Sequence, residues 1–204
     1  GLAREGQLTA SLPLLDSLRV DRTVRVARHL ESKGRTGNLF SGLNAESLGD
    51  DRFLNEFADT YRESESVSER LVFSFTQQDA RTLSEAQCAT LRDMADLGFR
   101  FALEGVTDLD MDFEAMQRAG FAFVKLDAST FLDGLPSGSG VMPADDLCRH
   151  LSGLGFGLIV GRIEDERQLA RIVGFGAVLG QGTLFGAPRP VKASVLKSQS
   201  YAAA

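Results

Sequence analysis

Apolar positions along the chain fall into two alternating patterns, short dense runs and longer stretches spaced with a helical period. Residues 14–33 carry Leu14, Leu15, Leu18, Val24, Val26, Ala27 and Leu30 at roughly helical spacing, with Arg22, Arg25 and Arg28 turned outward. Asn38-Leu-Phe-Ser-Gly-Leu43 then reads as a strand, and Ser47 to Arg62 returns to helical spacing through Leu48, Phe53, Leu54, Phe57 and Tyr61. Leu71-Val-Phe-Ser-Phe-Thr76 is apolar and bounded by charge, which marks a strand. Ser84 is a good N-cap for a helix running to Leu97, and Gly98 stops it. Phe99 to Val106 is a further strand, Phe113 to Arg118 a short helix ended by Gly120, and Phe121-Ala-Phe-Val-Lys-Leu-Asp127 another strand. The stretch 133–143, rich in Gly, Pro and Ser, reads as the one real loop, and Pro143 is placed to start a helix that ends near Gly153 or Gly155. Gly157 to Ile163 is a strand, Asp165 to Val173 a helix, and Ala177 to Phe185 the last strand-like run, closed by Pro188 and Pro190. The final Ser-Tyr-Ala-Ala-Ala is expected to be loose.

Six strands, each next to a helix, predict an α/β fold with a parallel sheet. Periodicity alone leaves a doubly wound sheet and a β/α barrel open. No Gly-x-Gly-x-x-Gly follows the first strand and no Walker A segment is present, which weakens the nucleotide-binding versions of the doubly wound fold.

Composition narrows the functions. The 204 residues suffice for one sizeable core, and a net charge of −6 argues against nucleic acid or anionic lipid as a partner of the whole molecule. Cys88 and Cys148 lie far apart in apolar helical patterns, so they read as buried thiols, which fits a reducing compartment. No apolar run is long enough to cross a membrane, and no signal peptide is visible. The abrupt Gly-Leu-Ala-Arg start reads as a piece of a longer protein. The acidic run Asp108, Asp110, Asp112, Glu114 lacks the glycine and closing glutamate of a calcium loop and reads as a solvated loop. His29 and His150 sit on helical stretches with no second ligand near in sequence, and no nucleophile–base pair is visible by spacing.

A resemblance emerges in the C-terminal half. Ile163-Glu-Asp-Glu-Arg-Gln-Leu169 followed by Gly180-Gln-Gly-Thr-Leu-Phe-Gly-Ala-Pro188 resembles the "VETEEQL" and "QGYLFGxP" segments that end EAL-type cyclic di-GMP phosphodiesterase domains. Val124-Lys-Leu-Asp127 is similar to that family's "IKID" strand, Phe101-Ala-Leu-Glu-Gly105 to "LDDFG", Leu71 to Thr76 to "LVFEITE", and Ser41-Gly-Leu-Asn44 with Leu48 and Phe53 to "NLS…L…F". The spacings follow the family: Glu104 and Gly105 lie 21 and 20 residues before Lys125, Gly161 lies 36 after it, and Gln181 a further 20 on. The resemblance covers residues 1–190, leaving 191–204 as a tail, and begins after the name-giving Glu-Ala-Leu strand. It implies a TIM-like β/α barrel whose first two strands have no counterpart in this sequence.

It also implies a lost chemistry. EAL enzymes hold two hard dications on carboxylate and amide oxygens at the strand ends. In register, this chain has Gly42 for the ligand asparagine, Ser74 for a glutamate, Glu104 and Gly105 for the aspartate pair and Gly161 for the last glutamate. Only Glu104 remains as a metal-binding remnant, so no catalytic residue, metal or cofactor is expected. Lys125, Asp127, Arg162, Glu164, Gln181, Gly182 and Pro188 are the residues that the resemblance implies for holding cyclic di-GMP. Plain structural readings stand beside them: an ion pair for Lys125 and Asp127, a helix dipole for Glu164, a tight backbone path for Gln181-Gly182.

Two functions follow. One is an inactive EAL domain that receives cyclic di-GMP and regulates partner proteins. The other is a protein-interaction scaffold that ignores the nucleotide. Within degenerate EAL proteins the composition resembles a flagellar-assembly regulator, which implies flagellar or polar protein partners, a role in motility, and a cytoplasmic domain carried by a membrane-anchored protein. This segment itself would make no membrane contact. An open sheet edge needs covering, by an upstream segment or a homo-oligomer.

Overall fold

The computed structural model describes residues 12–196 other than 63, 64, 139 and 178. Helix α1 (Leu12–Glu31) leads into strand β1 (Leu39–Gly42), a 3-10 turn at Ala45–Gly49 and helix α2 (Asp51–Arg62). A second 3-10 turn, Glu65–Arg70, precedes β2 (Leu71–Thr76), α3 (Gln77–Arg81), α4 (Glu85–Asp96) and β3 (Arg100–Glu104). Then come α5 (Phe113–Arg118), β4 (Phe121–Asp127), α6 (Ala128–Asp133) and a hairpin of β5 (Leu135–Ser137) and β6 (Gly140–Met142). Helix α7 (Ala144–Gly153), β7 (Gly157–Gly161), α8 (Glu166–Gly174), the two-residue β8 (Leu179–Gly180) and α9 (Ala193–Leu196) complete the order.

Strands β1-β2-β3-β4-β7-β8 form one parallel sheet in that order. The sheet curls into a half-barrel, two strands short of the eight that close a TIM-type barrel. Helices cover the convex face. Phe73, Phe75, Phe101, Leu103, Phe121, Val124 and Leu126 point into that layer and are fully buried. Ring contacts run through it from Phe57 to Phe73 and Phe99, and from Phe75 to Phe101 and Phe121. The concave face holds a separate small cluster of Val72, Ala102, Phe123 and Ile159.

The register of β4 decides what the concave face presents. Phe101 pairs with Phe121 but Ala102 pairs with Phe123, so Ala122 is an extra residue on β4. A bulge of this kind reverses the facing of every side chain beyond it. Phe121 therefore joins the helix-side core, whereas Phe123 falls on the concave side. Lys125 and Asp127 follow Phe123 by two and four residues and reach the same side. Strict alternation from Phe121 would have sent both into the helix layer.

Helix α1 is fastened by a buried carboxylate. Asp16 is fully buried and accepts hydrogen bonds from Asn44 N–H (2.8 Å), Asn44 Nδ2 (2.9 Å) and Ser47 Oγ (2.7 Å), with Arg19 Nη1 at 3.0 Å. The donors satisfy the charge that burial would otherwise penalise, and they tie α1 to the turn after β1.

Most expected elements are present, with differences at the short ones. The stretch 133–143 is built around the β5–β6 hairpin rather than a plain loop, and among the described residues the last strand-like run pairs at Leu179–Gly180 before turning. Cys88 and Cys148 are half-buried rather than buried, and both are free. The loose tail expected at residues 200–204 lies outside the described residues. Among the described residues, no helix is long and apolar enough to cross a membrane.

Candidate functional site

A cleft of about 540 Å³ opens where the C-terminal ends of the strands meet the loops that follow, a size usual for small-molecule sites. Strand β4 contributes Lys125 and Asp127, the segment after β7 contributes Arg162 and Glu164, and the turn after β8 contributes Gln181, Gly182 and Pro188. Glu104 and Gly105 close it from the end of β3. All seven residues expected to hold a ligand thus line one cleft, from three separate parts of the chain. Thr183 and Gly186 line it as well, unsignalled beyond their place in the Gln181-to-Pro188 turn. The cleft continues into a hollow of about 560 Å³ on the concave face, which shares Glu104, Lys125 and Gln181 and includes Phe40, Phe123, Ile159 and Leu179.

Charge in the cleft is arranged as two loose pairs. Lys125 Nζ lies 3.5 Å from Glu104 Oε1, and Arg162 Nη1 lies 3.4 Å from Asp127 Oδ2. The Lys125–Asp127 pairing considered from sequence is not formed, because each residue has a partner on a neighbouring strand end. Distances of this length at partly exposed side chains are worth about 0–1 kcal/mol each, so both cations can exchange a carboxylate for another anion.

The backbone around the cleft is fixed by the end of β7. Gln181 N–H donates to Val160 O (2.9 Å), Ile163 N–H donates to Gln181 O (3.0 Å) and Leu184 N–H donates to Ile163 O (3.2 Å). These bonds bring the two segments so close that a Cβ on residue 182 would sit 2.0 Å from Ile163 O. Gly182 is therefore required by the close approach, as the tight-path reading held. Glu164 precedes Asp165, whose carboxylate caps α8 through Gln168 N–H (2.8 Å). Arg162 has φ +55°, the one positive φ at a non-glycine position among the described residues.

The positions that the sequence resemblance assigns to metal ligands carry little to ligate with. Gly42 and Ser74 are neighbours across β1 and β2, and Gly161 pairs with Asp127 at the end of β7. Glu104 is occupied by Lys125. Among the described residues, no three His, Cys, Asp or Glu side chains converge on a point that could hold a metal ion. A pair of hard dications needs carboxylates converging on both ions, even where waters complete each shell, so the described residues do not fit a two-metal centre. Ser74 Oγ is buried and has no hydrogen-bond partner among the described residues.

The acidic run beside the cleft is structural. Asp108 pairs with Arg81 and accepts from Asp110 N–H (2.9 Å), Asp110 accepts from Gly138 N–H (3.2 Å) on the hairpin, and Asp112 caps α5 through Ala115 N–H (2.7 Å). Gln77, buried on α3, donates to Asp108 O (2.8 Å) and accepts from Thr107 N–H (2.9 Å). Burial raises the Asp108 carboxyl, but the Asp110 N–H, Arg81 and Thr107 outweigh it and hold the group below the ordinary carboxylate range. A further hollow of about 560 Å³ near Glu65–Arg70 and Asp96–Gly98 lies before the N-terminal ends of β2 and β3. Chemistry in barrel folds gathers at the other end.

The model of the EAL domain family matches residues 4–188. The fold is similar to that of PaMucR phosphodiesterase in its c-di-GMP complex, at 18% identity over 93% of this chain and 76% of that one, with a TM-score of 0.73. It is similar also to the Xanthomonas citri FimX EAL domain in complex with c-di-GMP, at 16% identity over 97% and 75% with a TM-score of 0.72. The Pseudomonas aeruginosa FimX EAL domain bound to c-di-GMP aligns at 21% identity over 89% and 71% with a TM-score of 0.66. No curated protein matches the chain.

Proposed function

The chain belongs to the EAL domain family, and from that premise we propose that it is an inactive EAL domain that binds cyclic di-GMP without hydrolysing it and regulates partner proteins. One observation carries the reading: the cleft keeps Lys125, Arg162 and Gln181 around a space of ligand size while Gly42, Ser74, Gly105 and Gly161 supply no carboxylate for a metal. Binding and hydrolysis draw on different groups. Binding needs cations for the phosphates, donors and acceptors for the guanine edges and a surface for the rings. Lys125 meets the first need, Asp127, Glu164 and Gln181 the second, and the turn carrying Phe185 and Pro188 the third. Hydrolysis needs an activated water, and a metal pair is what lowers its pKa.

Calorimetry with cyclic di-GMP in the presence of EDTA tests the binding half, with micromolar or tighter affinity expected. Incubation with Mg or Mn tests the other half, with no hydrolysis above background expected. Turnover would overturn the inactive assignment. No binding at millimolar ligand would favour the scaffold reading, which finds its own support in Phe40 and Leu179, exposed on β1 and β8, the outermost strands among the described residues. On the compositional resemblance, the regulated process is flagellar assembly or motility. Normal swimming in cells that lack the gene would remove that assignment and leave the receptor standing.

A further inference from the structure

We infer that Arg162 is a phosphate-binding residue that gives this cleft the positive charge a dication would otherwise supply, an inference that rests on the receptor reading above. The starting point is the backbone. Ile163 is held on both sides by Gln181 O and Leu184 N–H, and this path forces a left-handed conformation, φ +55°, at the residue before it. Glycine adopts that conformation at no steric penalty, whereas a residue with a Cβ is strained there. The geometry accounts for the φ and leaves the arginine unexplained.

Among the described residues nothing compensates that strain. The Arg162 side chain is 78% exposed, and the one ion pair it makes among these residues is the 3.4 Å approach to Asp127, a contact too exposed and too long to hold a loop. Strain kept at a cleft without a structural return points to a role in what the cleft binds. The charge balance says which role. Glu104, Asp127 and Glu164 line the cleft with Lys125 and Arg162. Without Arg162, three carboxylates would face a single cation, and a dianionic ligand would be repelled. A guanidinium presents two parallel N–H donors that match the two non-bridging oxygens of a phosphodiester. In the ligand-free protein the guanidinium lies beside Asp127 at the cleft, and the phosphate displaces Asp127 from it.

The test compares the wild-type protein with Arg162→Gly and Arg162→Lys, measuring cyclic di-GMP affinity by calorimetry in EDTA and in Mg, and ligand-free melting temperature. Wild-type affinity is expected to be the same in both media. Arg162→Gly is expected to bind at least tenfold more weakly yet melt about 2–4 °C higher as the strain is released. Arg162→Lys should fall between the two in affinity, with no gain in melting temperature. If Arg162→Gly binds as wild type does, the inference fails and the receptor reading stands. If it loses affinity and melting temperature together, Arg162 holds the fold and the inference fails. If the wild-type protein binds nothing, both readings fall.

Discussion

Ser74, which the sequence resemblance aligns with a carboxylate ligand, has its hydroxyl buried with no partner among the described residues. A buried hydroxyl left without a hydrogen bond costs about 1–3 kcal/mol. Removing it should therefore help: Ser74→Ala is expected to raise unfolding stability in urea by about 1 kcal/mol, with no change in ligand affinity. A loss of stability would mean that the hydroxyl is satisfied. At Gly161 a Cβ would lie 3.3 Å from Lys125 Cε, so the lysine stem runs close past this backbone. That Lys125, Arg162 and Gln181 share one cleft was legible in the sequence, because spacing between strand ends survives substitution. The strain at Arg162 was not legible, since a left-handed φ at arginine comes from the hydrogen bonds of residues 160–184 and has no signature in the residue itself.

Among the elements, those with strong local signals appear where the sequence put them. Ser84 and Gln87 make a reciprocal capping box at the start of α4, and Gly98 leaves its end at φ +95°. Strand β2 coincides with its charge-bounded apolar run. Elements whose register depends on a neighbour were hidden. The bulge at Ala122 arises from pairing with β3, and Phe121-Ala-Phe-Val-Lys-Leu-Asp127 is apolar enough on both faces to conceal it. The β5–β6 hairpin is held by the loop of residues 105–112, through Leu109 N–H to Pro136 O (2.8 Å) and Gly138 N–H to Asp110. That loop is pinned by Asp108, whose carboxyl is depressed in the folded protein. A depressed carboxyl contributes stability above its unfolded pKa, about 3.9, and loses it as the pH falls through the lower folded value. Urea unfolding at stepped pH should show Asp108→Asn less stable than wild type at pH 7, with the gap narrowing below about pH 4. A constant gap down to pH 2 would mean that the Asp108 charge does not hold the loop.

At the scale of the molecule, the two faces of the sheet do different work. The convex face carries the aromatic and aliphatic core under the helices, with Phe101 fully buried within it. The concave face has four buried apolar residues and then the charged groups of the cleft, and among the described residues no element packs across it. Stability should therefore reside almost wholly on the convex side, which frees the concave side to be polar, strained and poor in contacts, as a ligand site must be. Two phenylalanines on adjacent strands separate these roles. Phe101→Ala removes a ring enclosed on every side and leaves a cavity, a change expected to cost about 3–5 kcal/mol. Phe123 packs edge-on against Phe40, itself exposed, and under the Arg100 guanidinium. Its removal leaves a dent rather than a cavity, so Phe123→Ala should cost only the transfer of the ring, about 2 kcal/mol. Urea denaturation of the two variants measures the difference directly. Equal losses would mean that the concave face is an enclosed core in solution, covered by protein, and an enclosed face would leave the hollow beside Lys125 no room for a nucleotide.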